Sequence, residues 1–118
     1  MKTKVAVAME IGKPFELMEA ELDGPKDFEV LVKWKVAGLC HSDLHISSGD
    51  MPATLPLVVG HEGSGIVEEV GPEAAGHLSV GDRVVVPFNI SCGHCWMCSR
   101  GLFAQCETTQ NTQQGMGA

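Results

Sequence analysis

Tyrosine is absent from the 118 residues, and aromatic side chains make up only 5% of them, so the sequence has to be read from other residue types. Cations are scarce as well. Eight Lys and Arg stand against fifteen Asp and Glu, for a net charge of −7, and no basic run occurs. Nucleic acid and anionic membrane both attract clustered cations, so neither is an expected partner. Long hydrophobic runs are missing too. Lys2 and Lys4 precede an apolar stretch at residues 5–9, but Glu10 ends it, too soon for a signal peptide. No stretch is long enough to cross a bilayer. The chain is therefore expected in a reducing cytoplasm, where clustered thiols favour metal over disulfide.

A sustained helical period is also lacking; a single turn at residues 42–46 is the most the pattern supports. What is present is short strands in a sequence that is 44% hydrophobic, enough for one domain with its own core. Residues 5–9 alternate weakly. Residues 29–37 alternate well, with Val30, Val32, Trp34 and Val36 on one side and Lys33 and Lys35 on the other. Residues 65–70 and 83–88 are two further β-rich runs. Turn residues separate them: Asp23-Gly24-Pro25, Gly71-Pro72 and Gly81-Asp82. This pattern predicts a mainly β domain, a barrel or a sandwich, and fourteen glycines suit its corners and bulges. No internal repeat is found. Residues 108–118 hold Thr, Gln, Asn and Gly with almost no apolar anchor, and are expected to be loop or frayed end. With no final strand in sight, the chain is expected to be the first part of something longer.

Four of the five cysteines fall in one segment: Cys92, Cys95, Cys98 and, seven residues further on, Cys106. Two-residue gaps let neighbouring thiolates fold onto one ion, and four thiolates saturate a tetrahedral zinc. An iron–sulfur cluster is the rival, but its usual run has a three-residue gap followed by Cys-Pro, whereas Glu107 follows here. Disulfides or free thiols remain as further alternatives. His94 would be a fifth donor that a closed site does not need, so it is expected to be exposed. The zinc lobe is expected over about residues 89–107.

The fifth cysteine belongs to a second group. Gly38-Leu39-Cys40-His41-Ser42-Asp43-Leu44-His45 and Gly60-His61-Glu62-Gly63-Ser64-Gly65 together hold a thiol, three imidazoles, two carboxylates and two hydroxyls. An open catalytic zinc needs three protein ligands and a free position. Cys40 and His61 are candidate ligands, and Glu62 and Asp43 are either a further ligand or partners that orient an imidazole. Either motif alone is as readily a packed turn.

These three ordered motifs resemble the N-terminal, GroES-like catalytic domain of the zinc-dependent medium-chain alcohol dehydrogenases, over roughly residues 1–106. The resemblance implies a partly open GroES-like β-barrel with a small four-cysteine zinc lobe. It implies structural zinc on Cys92, Cys95, Cys98 and Cys106, and catalytic zinc on Cys40 and His61, with Glu62 as the carboxylate that approaches or transiently binds it. Ser42 and His45 take the place of the family's proton relay, Asp43 that of the carboxylate holding the histidine ligand, and His41 that of a cofactor-phosphate contact. Met51 and Phe88 fall where the family lines its substrate pocket.

The same resemblance implies oxidation of an alcohol to an aldehyde or ketone by hydride transfer to NAD or NADP, in a homo-oligomer when complete. The family's third catalytic-zinc ligand and its Rossmann domain have no counterpart here, and no Gly-x-Gly-x-x-Gly fingerprint occurs. These 118 residues alone are thus expected to be inactive. The alternative is a stand-alone zinc-binding GroES-like interaction module without enzyme activity, which leaves Cys40, Ser42, His45, His61 and Glu62 without a purpose.

Overall fold

The computed structural model describes residues 1–109. They form two three-stranded antiparallel sheets joined by loops and one helix, with no closed barrel among the described residues. Strand β1 (Lys2–Ala8) lies at the centre of the first sheet, between β2 (Glu16–Glu21) and β4 (Leu57–Val58). The second sheet runs in the order β3 (Val30–Ala37), β5 (Gly63–Val70), β6 (Arg83–Val86). The thin core takes Val7 and Ala8 from β1, Val67 from β5, Ile46 from the helix and Ala74 from a loop.

The sequence pattern places β1, β3, β5 and β6 to within a few residues and gives no sign of β2 or β4. The reason for β2 is visible in its composition. It is an edge strand with no buried residue, and it pairs through charge as much as through apolar contact, with Lys2 Nζ 2.7 Å from Glu19 Oε1. A charged edge resists unwanted pairing but carries no hydrophobic period. The alternation of β3 is real but does not mark a buried face throughout. A bulge makes Lys35 the extra residue between the Trp34–Gly65 and Val36–Ser64 pairs, and Trp34 and Val36 are half exposed or more.

Helix α1 (His41–Ser48) is longer than the single turn expected. Its apolar residues are too few to set a period. It is held instead by its ends and one anchor. Asp43 sits in the first turn, where a carboxylate suits the helix dipole. Ile46 is buried, and Gly49 closes the helix at φ 86°, its N–H meeting the carbonyls of His45 and Ile46. The helix therefore projects Cys40, at its N-cap, and Ser42 and Asp43 toward the start of β5.

Close backbone approach fixes β5 against β3. A Cβ on Gly65 would run into the Lys33 carbonyl, a backbone group that cannot swing away. Gly65→Ala is therefore expected to destabilise the domain by about 1–3 kcal/mol, as overpacking does. A denaturant midpoint unchanged from the parent would contradict this packing.

Candidate metal centres

The four-cysteine lobe is built from turns. A 3-10 turn at Cys98–Arg100 and another at Phe103–Gln105 bring the chain back on itself, with Gly93 and Gly101 at φ 78° and 76° where L side chains are strained. The four Sγ atoms all lie within 4.8 Å of one another. Backbone N–H groups point at three of them: Cys92 N lies 3.3 Å from Cys106 Sγ, Cys95 N 3.3 Å from Cys92 Sγ, and Cys98 N 3.4 Å from Cys95 Sγ. Such donors favour thiolate over thiol.

The thiols differ accordingly. The Thr109 hydroxyl, helped by backbone N–H groups, draws Cys106 down to about 5, and the Thr108 hydroxyl draws Cys92 down to about 7. Burial pushes Cys98 up to about 12. None of the described cysteines is in a disulfide. A soft, N–H-supported set of four sulfurs within 4.8 Å of one another fits zinc. His94 is exposed, as expected. Its Nδ1 lies 2.9 Å from the Cys92 carbonyl oxygen and its ring stacks on Phe28 at 5.8 Å.

The second centre joins the helix start to the start of β5. Ligand atoms of Cys40, His61 and Glu62 all lie within 4.8 Å of one another. The Ser42 hydroxyl sits 3.1 Å from both Cys40 Sγ and His61 Nε2. On the other side of the ring, His61 Nδ1 is 3.3 Å from Asp43 Oδ1. Asp43 is buried, and its Oδ1 also accepts from the Gly60 N–H at 3.2 Å. A carboxylate on Nδ1 leaves Nε2 facing the thiol, the arrangement that orients a metal-ligating imidazole.

Hydrogen bonding to Ser42 lowers the Cys40 thiol, and the bond to Cys40 raises His61. Both shifts favour the thiol giving up its proton beside the ring, which suits a pair that can ligate a cation. Glu62 is held by its backbone, whose carbonyl accepts the Gly38 N–H at 2.9 Å. Its side chain folds over Gly38, where a Cβ would strike Glu62 Cγ. Unlike the lobe, this centre offers three protein donors and is only partly buried.

The other residues singled out from sequence lie around this centre at different distances. Phe88 is exposed and meets the His61 ring edge-on at 6.5 Å. Met51 is partly buried beyond the helix end, its N–H on the His45 carbonyl. His41 is exposed and its ring lies 5.3 Å from that of His45. His45 turns toward Asp50, with Nδ1 3.5 Å from Oδ2. Sequence reasoning does not single out Asp50; its only signal is an acid just past the glycine that ends the helix. The Ser48 and His45 contacts hold its carboxyl below the usual range.

Asp43→Asn keeps the shape but removes the charge behind His61. It is expected to weaken metal binding at the second centre by about 10–100-fold and to leave the lobe's metal in place. Competition with a chromogenic chelator measures both, and equal loss from the two centres would contradict the assignment.

Two centres of this geometry, one closed and one open, on this β scaffold agree with a match of the sequence profile of the alcohol dehydrogenase GroES-like domain over residues 26–118. The chain belongs to that family. This GroES-like domain is 50% identical over 107 residues to the NDMA-dependent alcohol dehydrogenase of Amycolatopsis methanolica, with 91% of the chain and 29% of that protein covered. Among solved structures, the alcohol dehydrogenase zinc-binding domain protein of Burkholderia ambifaria superposes with a TM-score of 0.83 at 42% identity, covering 91% of this chain and 28% of that one.

The cobalt- and zinc-bound thermostable alcohol dehydrogenase of Pyrobaculum aerophilum gives 0.77 at 36% identity, covering 99% of this chain and 34% of that one. The GroES-like domain thus spans about a third of the length of these relatives. No helix among its described residues is long and apolar enough to cross a membrane.

Proposed function

We propose that this GroES-like domain is the metal-binding part of a zinc-dependent alcohol dehydrogenase that oxidises a small alcohol to an aldehyde or ketone with NAD or NADP as hydride acceptor. The observation that carries this reading is the open cluster of Cys40, His61 and Glu62 with Ser42 at its rim. Zinc bound there supplies Lewis-acid polarisation of the substrate hydroxyl. Cys92, Cys95, Cys98 and Cys106 hold the structural zinc.

The chain's own residues supply the rest. Asp43 fixes the His61 ring, so that Nε2 faces the reacting site. Ser42 Oγ lies where it can accept the hydroxyl proton of the alcohol. His45, three residues further along α1 and 46% exposed at its side chain, hands that proton to water. The carbon-bound hydrogen leaves as hydride to the nicotinamide, with both electrons of its bond. His41 meets a cofactor phosphate, and Met51 and Phe88 face the substrate. The working protein is cytoplasmic and homo-oligomeric, and the nicotinamide site lies outside these 118 residues.

The test uses the full-length protein. Alcohol-dependent reduction of NAD or NADP is expected, lost on removal of zinc and regained when zinc is restored. The 118-residue chain alone is expected to reduce neither cofactor. Turnover that persists after mass spectrometry shows the zinc to be gone would overturn the proposal.

A further inference from the structure

Helix α1 carries histidines at positions 41 and 45, one turn apart on one face, with ring centroids 5.3 Å apart and planes at 53°. Neither belongs to the cluster of Cys40, His61 and Glu62. Two imidazoles that share one divalent ion at ~2.0–2.1 Å and a tetrahedral angle have centroids about 5.2 Å apart. The observed separation of 5.3 Å is compatible with that geometry. His41 is exposed and His45 partly so, which lets an ion arrive directly from solvent.

Asp50 adds a second, independent feature. Its Oδ2 lies 3.5 Å from His45 Nδ1 and is itself held by the Ser48 hydroxyl at 2.7 Å. This repeats, on a second histidine, what Asp43 does for His61: a carboxylate on Nδ1 fixes the ring and leaves Nε2 as the ligand nitrogen. Imidazole pairs suit nickel, copper and zinc rather than magnesium or calcium.

We infer that His41 and His45 form a two-imidazole chelate for a divalent transition ion, with Asp50 orienting His45 and water completing the coordination. The site is separate from the two thiol centres and weaker than either, because it offers two neutral ligands and no thiolate. Its consequence rests on the function proposed above. An ion held there occupies both the histidine assigned to the cofactor phosphate and the one assigned to proton release, so excess zinc or nickel inhibits turnover.

The probe is Ni²⁺, titrated calorimetrically into the full-length protein with its thiol centres filled by zinc, while released zinc is followed by mass spectrometry. One additional nickel per chain with no loss of zinc is expected. Binding should be at least about tenfold weaker in His41→Ala, whose exposed position leaves the fold untouched, and several-fold weaker in Asp50→Asn. Nickel uptake unchanged in His41→Ala, or uptake matched by zinc release, overturns the site. Turnover measured in the same titration separates the two ideas. Inhibition that tracks occupancy supports both, whereas occupancy without inhibition keeps the metal site and overturns the roles given to His41 and His45.

Discussion

Cys98→Ser is expected to strip the metal from the four-cysteine lobe and lower the melting midpoint of the protein by more than about 10 °C. The size of the effect follows from what else holds the lobe together. Of residues 89–107 only Cys98 and Cys106 are buried; Ile90, Trp96, Leu102 and Phe103 are all half exposed or nearly so. The lobe has no hydrophobic core of its own. Its other ties are surface ones, such as the Arg100 guanidinium over the Trp96 ring at 3.6 Å and the Arg100 contact to the Trp96 carbonyl.

A metal joining the four thiolates would therefore supply most of what fixes these turns. Burial pushes the Cys98 thiol up to about 12. Only a cation makes its deprotonation favourable, and a serine hydroxyl, far harder to ionise, cannot substitute. A strong chelator should reproduce the shift in the parent protein and add nothing in Cys98→Ser. A variant with the parent's midpoint and zinc content would show that the lobe is held by something else.

His61→Ala should leave the fold nearly intact and reduce turnover of the full-length protein by about 10³-fold or more. Metal polarisation of a reacting oxygen contributes several kcal/mol, and each 1.36 kcal/mol is about a factor of ten in rate. The ring is partly exposed and lies outside the core of Val7, Ala8, Ile46 and Val67, so little packing is lost. Zinc content should fall from two per chain to one, with the lobe still filled. The two substitutions are thus expected to separate: Cys98→Ser acts chiefly on the melting midpoint, His61→Ala chiefly on rate. Retention of both zinc ions and of turnover in His61→Ala would remove His61 from the metal site.

Much of this was legible in the residues because metal chemistry is conservative in spacing. Cys92, Cys95 and Cys98 at two-residue gaps, and the Gly-His-Glu-Gly run at residues 60–63, can be read without coordinates. So can the strand runs, since alternation is a local property. Strand β2 was not legible: as a charged edge it has no buried face to imprint a pattern. Helix α1 was read as a single turn because its length is set by the Gly49 cap and the burial of Ile46 against the rest of the chain, not by a period of its own.

The sequence by itself determined the candidate donors: which residues can ligate and in what order they come. That information is local, carried by residue type and short spacing. Only the tertiary structure decided how the donors are aimed. Cys40 and His61 are 21 residues apart, and their meeting depends on β3, which leads into Cys40, packing closely on β5 at Gly63 and Gly65, and on Gly38 lying against Glu62. Asp43 falls on His61 Nδ1, outside the group of Cys40, His61 and Glu62, and Asp50 falls on His45. The first pairing joins segments 18 residues apart and is set by packing at a distance; the second is local, made where the chain turns at Gly49.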